Sequence, residues 1–103
     1  MSALVTANEV RSRIITLRNQ PVLIDADVAE LYGVQTKEVN QAVRNNQYKF
    51  PHGYTFQLNK QEKNEVVKIF DHLKKLKFSK VVPTAFTERT GDLLAEVVGH
   101  NTK

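Results

Sequence analysis

Apolar residues recur three and four apart in two neighbouring stretches of this chain, with a glycine between them. Val28, Leu31 and Tyr32 share one side of a helix that starts near Asp25, whose carboxylate is placed to cap the free N–H groups of the first turn. Gly33 follows where a chain leaving a helix needs a left-handed backbone. Thr36 is a natural cap for a second helix with apolar positions at Val39, Ala42 and Val43. Upstream, Ile14-Ile15-Thr16-Leu17 and Pro21-Val22-Leu23-Ile24 are strand-like runs broken at Asn19-Gln20, the pattern of a β-hairpin. Pro21 suits a strand start or edge. Residues 1–10 show no clear period and read as a short helix or a loose arm.

Downstream, Phe50-Pro51 ends helical structure and Pro51-His52-Gly53 makes a turn. Tyr54, Phe56 and Leu58 alternate with Thr55 and Gln57, as in a half-buried strand. That strand and its tight loop predict a wing beside the second helix, with Tyr48, Lys49 and His52 near any bound backbone. Phe50, Tyr54 and Phe56 are expected in the core, because alternation buries one face. Asn59 and Glu62 form a capping-box pattern. The helix after it is expected to be the longest, burying Val66, Ile69, Phe70, Leu73 and Leu76 and exposing a lysine-rich side. Lys80-Val81-Val82-Pro83 reads as an edge strand. Thr87 or Thr90 caps a last helix carrying Leu93, Leu94, Val97 and Val98, which Gly91 weakens by up to about 1 kcal/mol. Residues 99–103 read as a frayed tail. The fold class is α+β: a winged-helix-like helix-turn-helix domain with a small hairpin or sheet and a long packing helix.

Length and composition narrow the function. At 103 residues, the chain suits one domain. It has no cysteine, which excludes disulfides and thiolate chemistry. No apolar run approaches the roughly 20 residues of a membrane span, and the N-terminal stretch does not look like a secretion signal, so the cytoplasm is the expected location. His52, His72 and His100 are too scattered for a zinc site. Ser12 and Ser79 sit in no nucleophile motif, and no glycine-rich phosphate loop occurs. Asp25 and Asp27 are better explained by helix capping than by magnesium binding. No catalysis, metal or cofactor is expected.

The net charge of +4 is uneven. Residues 36–80 carry ten basic and four acidic side chains, net +6, whereas 1–35 and 81–103 are each net −1. Such a local field favours a polyanionic partner, although for residues 60–80 taken alone a solvated lysine-rich helix face is the favoured reading.

The spacing from residue 25 to 46 fits a helix-turn-helix. Ala29 provides the small residue where the helices cross, Gly33 the turn four residues later, and Val28, Tyr32, Val34, Val39 and Ala42 the flanking apolar positions. An ordinary helical hairpin with a solvated outer face remains the alternative. Gln35, Thr36, Lys37, Asn40, Gln41 and Arg44 are candidates for the major groove: Asn40 and Gln41 for adenine, Arg44 for guanine or phosphate. Asn45, Asn46 and Lys49 are candidates for the DNA backbone.

Three segments, RIITLRNQPVLIDADVAELYGVQTKEVNQAVRNN, KFPHGYTFQLNKQE and PTAFTER, together resemble the ORF-six N-terminal domain family from about Arg13 to Arg89. That family is a small DNA-binding module of phage and prophage proteins, grouped with KilA-N-type domains and often attached to antirepressors. The chain departs from it after the FTE segment, reading TERTGDLLAEVVGHNTK where members carry a glycine-led, methionine-containing apolar helix. The resemblance implies sequence-specific binding of double-stranded DNA in phage or prophage transcriptional control, without catalysis. The alternative is an antirepressor-type module that binds a regulator protein and not DNA. A homodimer is compatible with either.

Overall fold

The computed structural model describes residues 6–99. Thr6 and Glu9 form a capping box at the start of α1 (Ala7–Arg13), a helix with no buried residue. The first five residues of the expected arm and residues 100–103 of the expected tail lie outside the described residues. A hairpin follows, β1 (Ile15–Leu17) and β2 (Gln20–Ile24). Its turn is Arg18-Asn19, both at positive φ (52° and 63°), one residue earlier than expected. Two adjacent left-handed residues are what a hairpin turn matched to strand twist needs, and Asn adopts that region more readily than most.

β2 runs without a loop into α2 (Asp25–Tyr32), which is followed by α3 (Thr36–Asn45). After a 3-10 turn at Gln47–Lys49 come β3 (Thr55–Gln57), α4 (Lys60–Ile69), a 3-10 segment at Asp71–Leu76, β4 (Thr84–Thr87), a 3-10 turn at Glu88–Thr90 and α5 (Gly91–Val97). All four strands form one antiparallel sheet in the order β1-β2-β4-β3.

Side-chain alternation along the sheet builds two cores. Val22, Ile24 and Ala85 point to one face and pack with Leu58, Val66, Leu73 and Leu76. Leu23 and Phe86 point to the other and pack with Val28, Ala29, Val39, Ala42, Leu94 and Val97. Helices therefore cover both faces, and α2 and α3 sit on the α5 side.

Four expectations change. The long helix breaks at Phe70, whose φ/ψ of −107°/114° is extended. Beyond the break Leu73 and Leu76 still reach the core, but Ile69 is left 63% exposed. The strand expected at 80–83 lies four residues later, as β4, and it is internal, not an edge. Its burial between β2 and β3 is set by pairing across the sheet, which local pattern does not record. The wing is not a hairpin: β3 is an edge strand whose partner is β4, far along the chain. Phe50, Tyr54 and Phe56 are half-buried, not fully in the core. Arg18 lies 4.0 Å above the Phe56 ring and also pairs with Glu62, so this edge of the sheet is closed by a cation. Among the described residues no helix is long and apolar enough to cross a membrane.

Candidate nucleic-acid interface

The geometry of the α2–α3 pair starts from how α2 ends. Gly33 has φ +68° and ψ +33°, and a Cβ there meets nothing within 4 Å, so the requirement is conformational and not steric. The Gly33 N–H donates to the Glu30 carbonyl (3.3 Å) and Val34 N–H to Ala29 O (2.9 Å), which closes the helix end. After Gly33, Val34 and Gln35, α3 begins. Its N-cap is Gln35, one residue before the expected Thr36; the Gln35 N–H donates to the Glu38 carboxylate at 3.3 Å, and Thr36 opens the first turn. Val39 and Ala42 are buried against α2, where Val28 and Ala29 receive them.

Two carboxylates fix this unit from within. Asp25 is 2% exposed. It does not cap α2, whose N-cap is Ile24. Its Oδ1 accepts from its neighbour Ala26 N–H (2.8 Å), and its Oδ2 accepts from Asn40 Nδ2 (2.9 Å) across the helix pair. Burial pushes its carboxyl above the usual range, while the bonds from Asn40, the Thr84 backbone and Ala26 pull it back. Asp27 is fully buried and is likewise no cap. Its Oδ1 accepts from Arg13 and from Lys75, both at 2.9 Å. Those two cations also reach Glu30, at 2.8 and 2.7 Å, and hold its carboxyl below the ordinary range, Lys75 most strongly. The imidazole Nε2 of His72 lies 3.1 Å from Asp27 Oδ2, but the two are not aligned for a hydrogen bond. The break at Phe70 is what aims His72 and Lys75 at α2. The signal for this cluster was in the sequence: two acids close together amid the apolar positions Ile24, Ala26 and Val28.

The candidate side chains divide into two sets. Gln35, Lys37, Gln41, Arg44 and Asn45 are exposed, and Thr36 is half-buried at the helix start. Arg44 donates to Gln41 Oε1 (2.8 Å) and Gln41 Nε2 to Asn45 Oδ1 (3.0 Å), so these three form one hydrogen-bonded strip on the outer surface. The other set is engaged internally. Asn40 faces α2, donating to Asp25 and to Thr36 O (3.3 Å). Expected at the major groove, its amide is instead drawn inward, because Asp25 offers a buried acceptor directly opposite it. Asn46 Nδ2 donates to Ala42 O (2.8 Å) and finishes α3. Lys49 is half-buried and paired with Glu96 of α5, which raises its ammonium above the ordinary range. Beside it Tyr48 is 79% exposed. Among the described residues no cluster of His, Asp or Glu could hold a metal ion.

A family model described as the ORF6N domain matches residues 12–97, most of the chain and all of both helices and the sheet. No curated protein matches the chain, and no solved structure does.

Proposed function

This chain belongs to the ORF6N domain family, and on that premise we propose that it is a sequence-specific DNA-binding domain of a phage-type transcriptional regulator, with α3 as the reading element. The observation that carries the proposal is the outward strip of α3. Amide and basic side chains stand on a helix whose opposite side is anchored by Val39 and Ala42 and whose entry is fixed by Gly33. In a major groove, Gln41 offers the donor and acceptor pair that suits adenine, and Arg44 the fork that suits guanine. Gln35 and Thr36 open the helix, where N–H groups and the positive end of the dipole favour phosphate. Lys37 adds a charge at the same end, and Asn45 extends the strip. The role is binding without catalysis, and the partner is double-stranded DNA.

The test is selection of bound duplexes from a random pool at fixed moderate salt, followed by a salt titration of the best binder. The proposal expects convergence on a shared motif and an affinity that falls with salt by about 0.9 log unit per log unit of salt for each phosphate contact. Binding that is flat with salt and retrieves no motif would contradict it and favour a regulator-binding role.

A further inference from the structure

The most exposed large apolar side chain among those described is not on the helix-turn-helix. Phe78 is 88% exposed, in the segment Lys77-Phe78-Ser79-Lys80-Val81-Val82 that links the 3-10 segment to β4. Val81 and Val82 are also exposed, as are Lys77 and Lys80. The segment is held in place and is not merely slack. Leu76 and Pro83 are buried at its two ends. Ser79 N–H donates to Leu76 O (3.1 Å), Val81 N–H donates to Ser79 Oγ (3.2 Å), and Lys63 Nζ donates to Ser79 O. An ordered loop that presents an aromatic ring to solvent between two lysines fits a partner surface that is both anionic and partly apolar.

Its position decides which surface. Leu76, Ser79 and Val81 line a cleft of about 170 Å³ whose other wall is the start of α3, Thr36, Lys37 and Asn40. The loop therefore stands next to the end of α3 that carries Lys37. Behind it, Lys80 and Val81 share a second cleft with Lys60 and Lys63, and Lys63, Lys68 and Lys77 line a groove of about 520 Å³. The sole carboxylate lining any of these three surfaces is the buried Asp25. Lys37, Lys60, Lys68 and Lys80 make no ion pair among the described residues. A continuous cationic belt thus leaves the proposed reading helix and passes across this loop.

We propose that residues 77–82 form a second DNA contact, lying on the sugar–phosphate backbone that borders the groove occupied by α3. Lys77 and Lys80 meet phosphates, and the Phe78 ring packs on deoxyribose. Contacts to phosphate and sugar fix a protein's position on a duplex and carry no direct sequence information. The contact clamps without reading, so it strengthens binding to all sequences alike.

This inference rests on the DNA-binding reading of α3, and the experiment separates the two. Salt-titrated affinity is measured on a selected duplex and a scrambled one for the unmodified chain, Lys77→Ala/Lys80→Ala, Phe78→Ala and Arg44→Ala, with sedimentation of each protein alone. The double lysine variant is expected to lower the log–log salt slope by about 1.8, at about 0.9 per lost phosphate contact. Phe78→Ala is expected to weaken both duplexes about fivefold, the order of one lost apolar contact, with the slope unchanged. All these side chains are exposed, so the fold is expected to persist. If Arg44→Ala weakens binding while both loop variants match the unmodified chain, the loop inference is overturned and the α3 reading stands. If the unmodified chain shows no salt-dependent binding, both fall. If Phe78→Ala abolishes self-association and leaves DNA affinity intact, the loop is a contact between copies and the inference is overturned.

Discussion

Within the α2–α3 pair the two aspartates lie inside, where Asn40, Arg13 and Lys75 reach in to meet them; from Lys60 to Lys80 most of the cations lie outside and meet solvent. Asp25 and Asp27 are almost completely covered; Asn40 and the Ala26 N–H take up the oxygens of Asp25, and Arg13 and Lys75 converge on Oδ1 of Asp27. In the second region Lys68 and Lys80 are exposed without an ion pair, and Lys74 pairs only with Asp71, itself almost fully exposed. A buried charge must be paired and hydrogen-bonded to be tolerated, so the first arrangement fixes geometry. Exposed pairs contribute little to stability, so the second arrangement leaves charge available to a partner. Lys75 and His72 belong to the lysine-rich region by sequence but to the first by contact. They join the 3-10 segment to α2, so the two regions hold a fixed relation.

The sharpest way to break this contrast is to remove the central acid. Asp27→Ala leaves Arg13 and Lys75 converging on an empty buried site. Breaking a buried pair costs about 3–5 kcal/mol, and the lower end is expected because both cations are partly exposed. Urea unfolding measures it; a loss below about 1 kcal/mol would show that the cluster does not fix the scaffold. Exchanging Lys68 for alanine, in contrast, is expected to change stability by no more than about 0.5 kcal/mol.

Next comes Asn40→Ala against Gln41→Ala. The first strips a buried carboxyl oxygen of its partner and is expected to cost about 1–3 kcal/mol. The second touches only the surface strip and is expected to stay within about 0.5 kcal/mol. Equal melting temperatures for the two would dissolve the distinction between anchoring and outward residues on α3.

Gly33 sharpens the same point on the backbone. Gly33→Val is expected to cost more than about 1 kcal/mol, since a β-branched residue is poorly suited to φ +68°. Gly33→Asn is expected to cost less, because Asn visits this region and the space around a Cβ is open. A larger loss for Asn than for Val would refute a conformational origin.

The smallest effect is on acid stability. Glu30 is held below its ordinary value, so its pairing stabilises the fold above the unfolded pKa near 4.5 and is lost as pH falls through the folded value. Glu30→Gln should flatten the acid limb of stability measured between pH 6 and pH 3. A limb as steep as that of the unmodified chain would show that other carboxylates dominate.

The sequence made the α2–α3 helix pair and the first hairpin legible because both rest on local rules. The spacing from Ala29 to Ala42 and the glycine between the helices are helix geometry, and Arg18-Asn19 differs from the expected turn by one residue. What stayed hidden depends on contacts far apart in the chain. Nothing near Phe70 announces that the helix breaks there, yet the break lets Lys75 reach Asp27 across the molecule. Thr84–Thr87 has only two apolar residues and looks like a poor strand; it is buried because β2 and β3 flank it. Asn40 has the chemistry of a base reader, and only the position of Asp25 reveals that its amide is already engaged.

The central claim is that the outer strip of α3 reads bases. Its most direct test is a base-by-base binding profile on the selected duplex for Gln41→Ala and Arg44→Ala beside the unmodified chain. Both variants are expected to melt like the unmodified chain, and each to lose about 1–3 kcal/mol of discrimination at one base pair while keeping the remaining preferences. Normal folding with the complete sequence preference retained in both variants would contradict the claim.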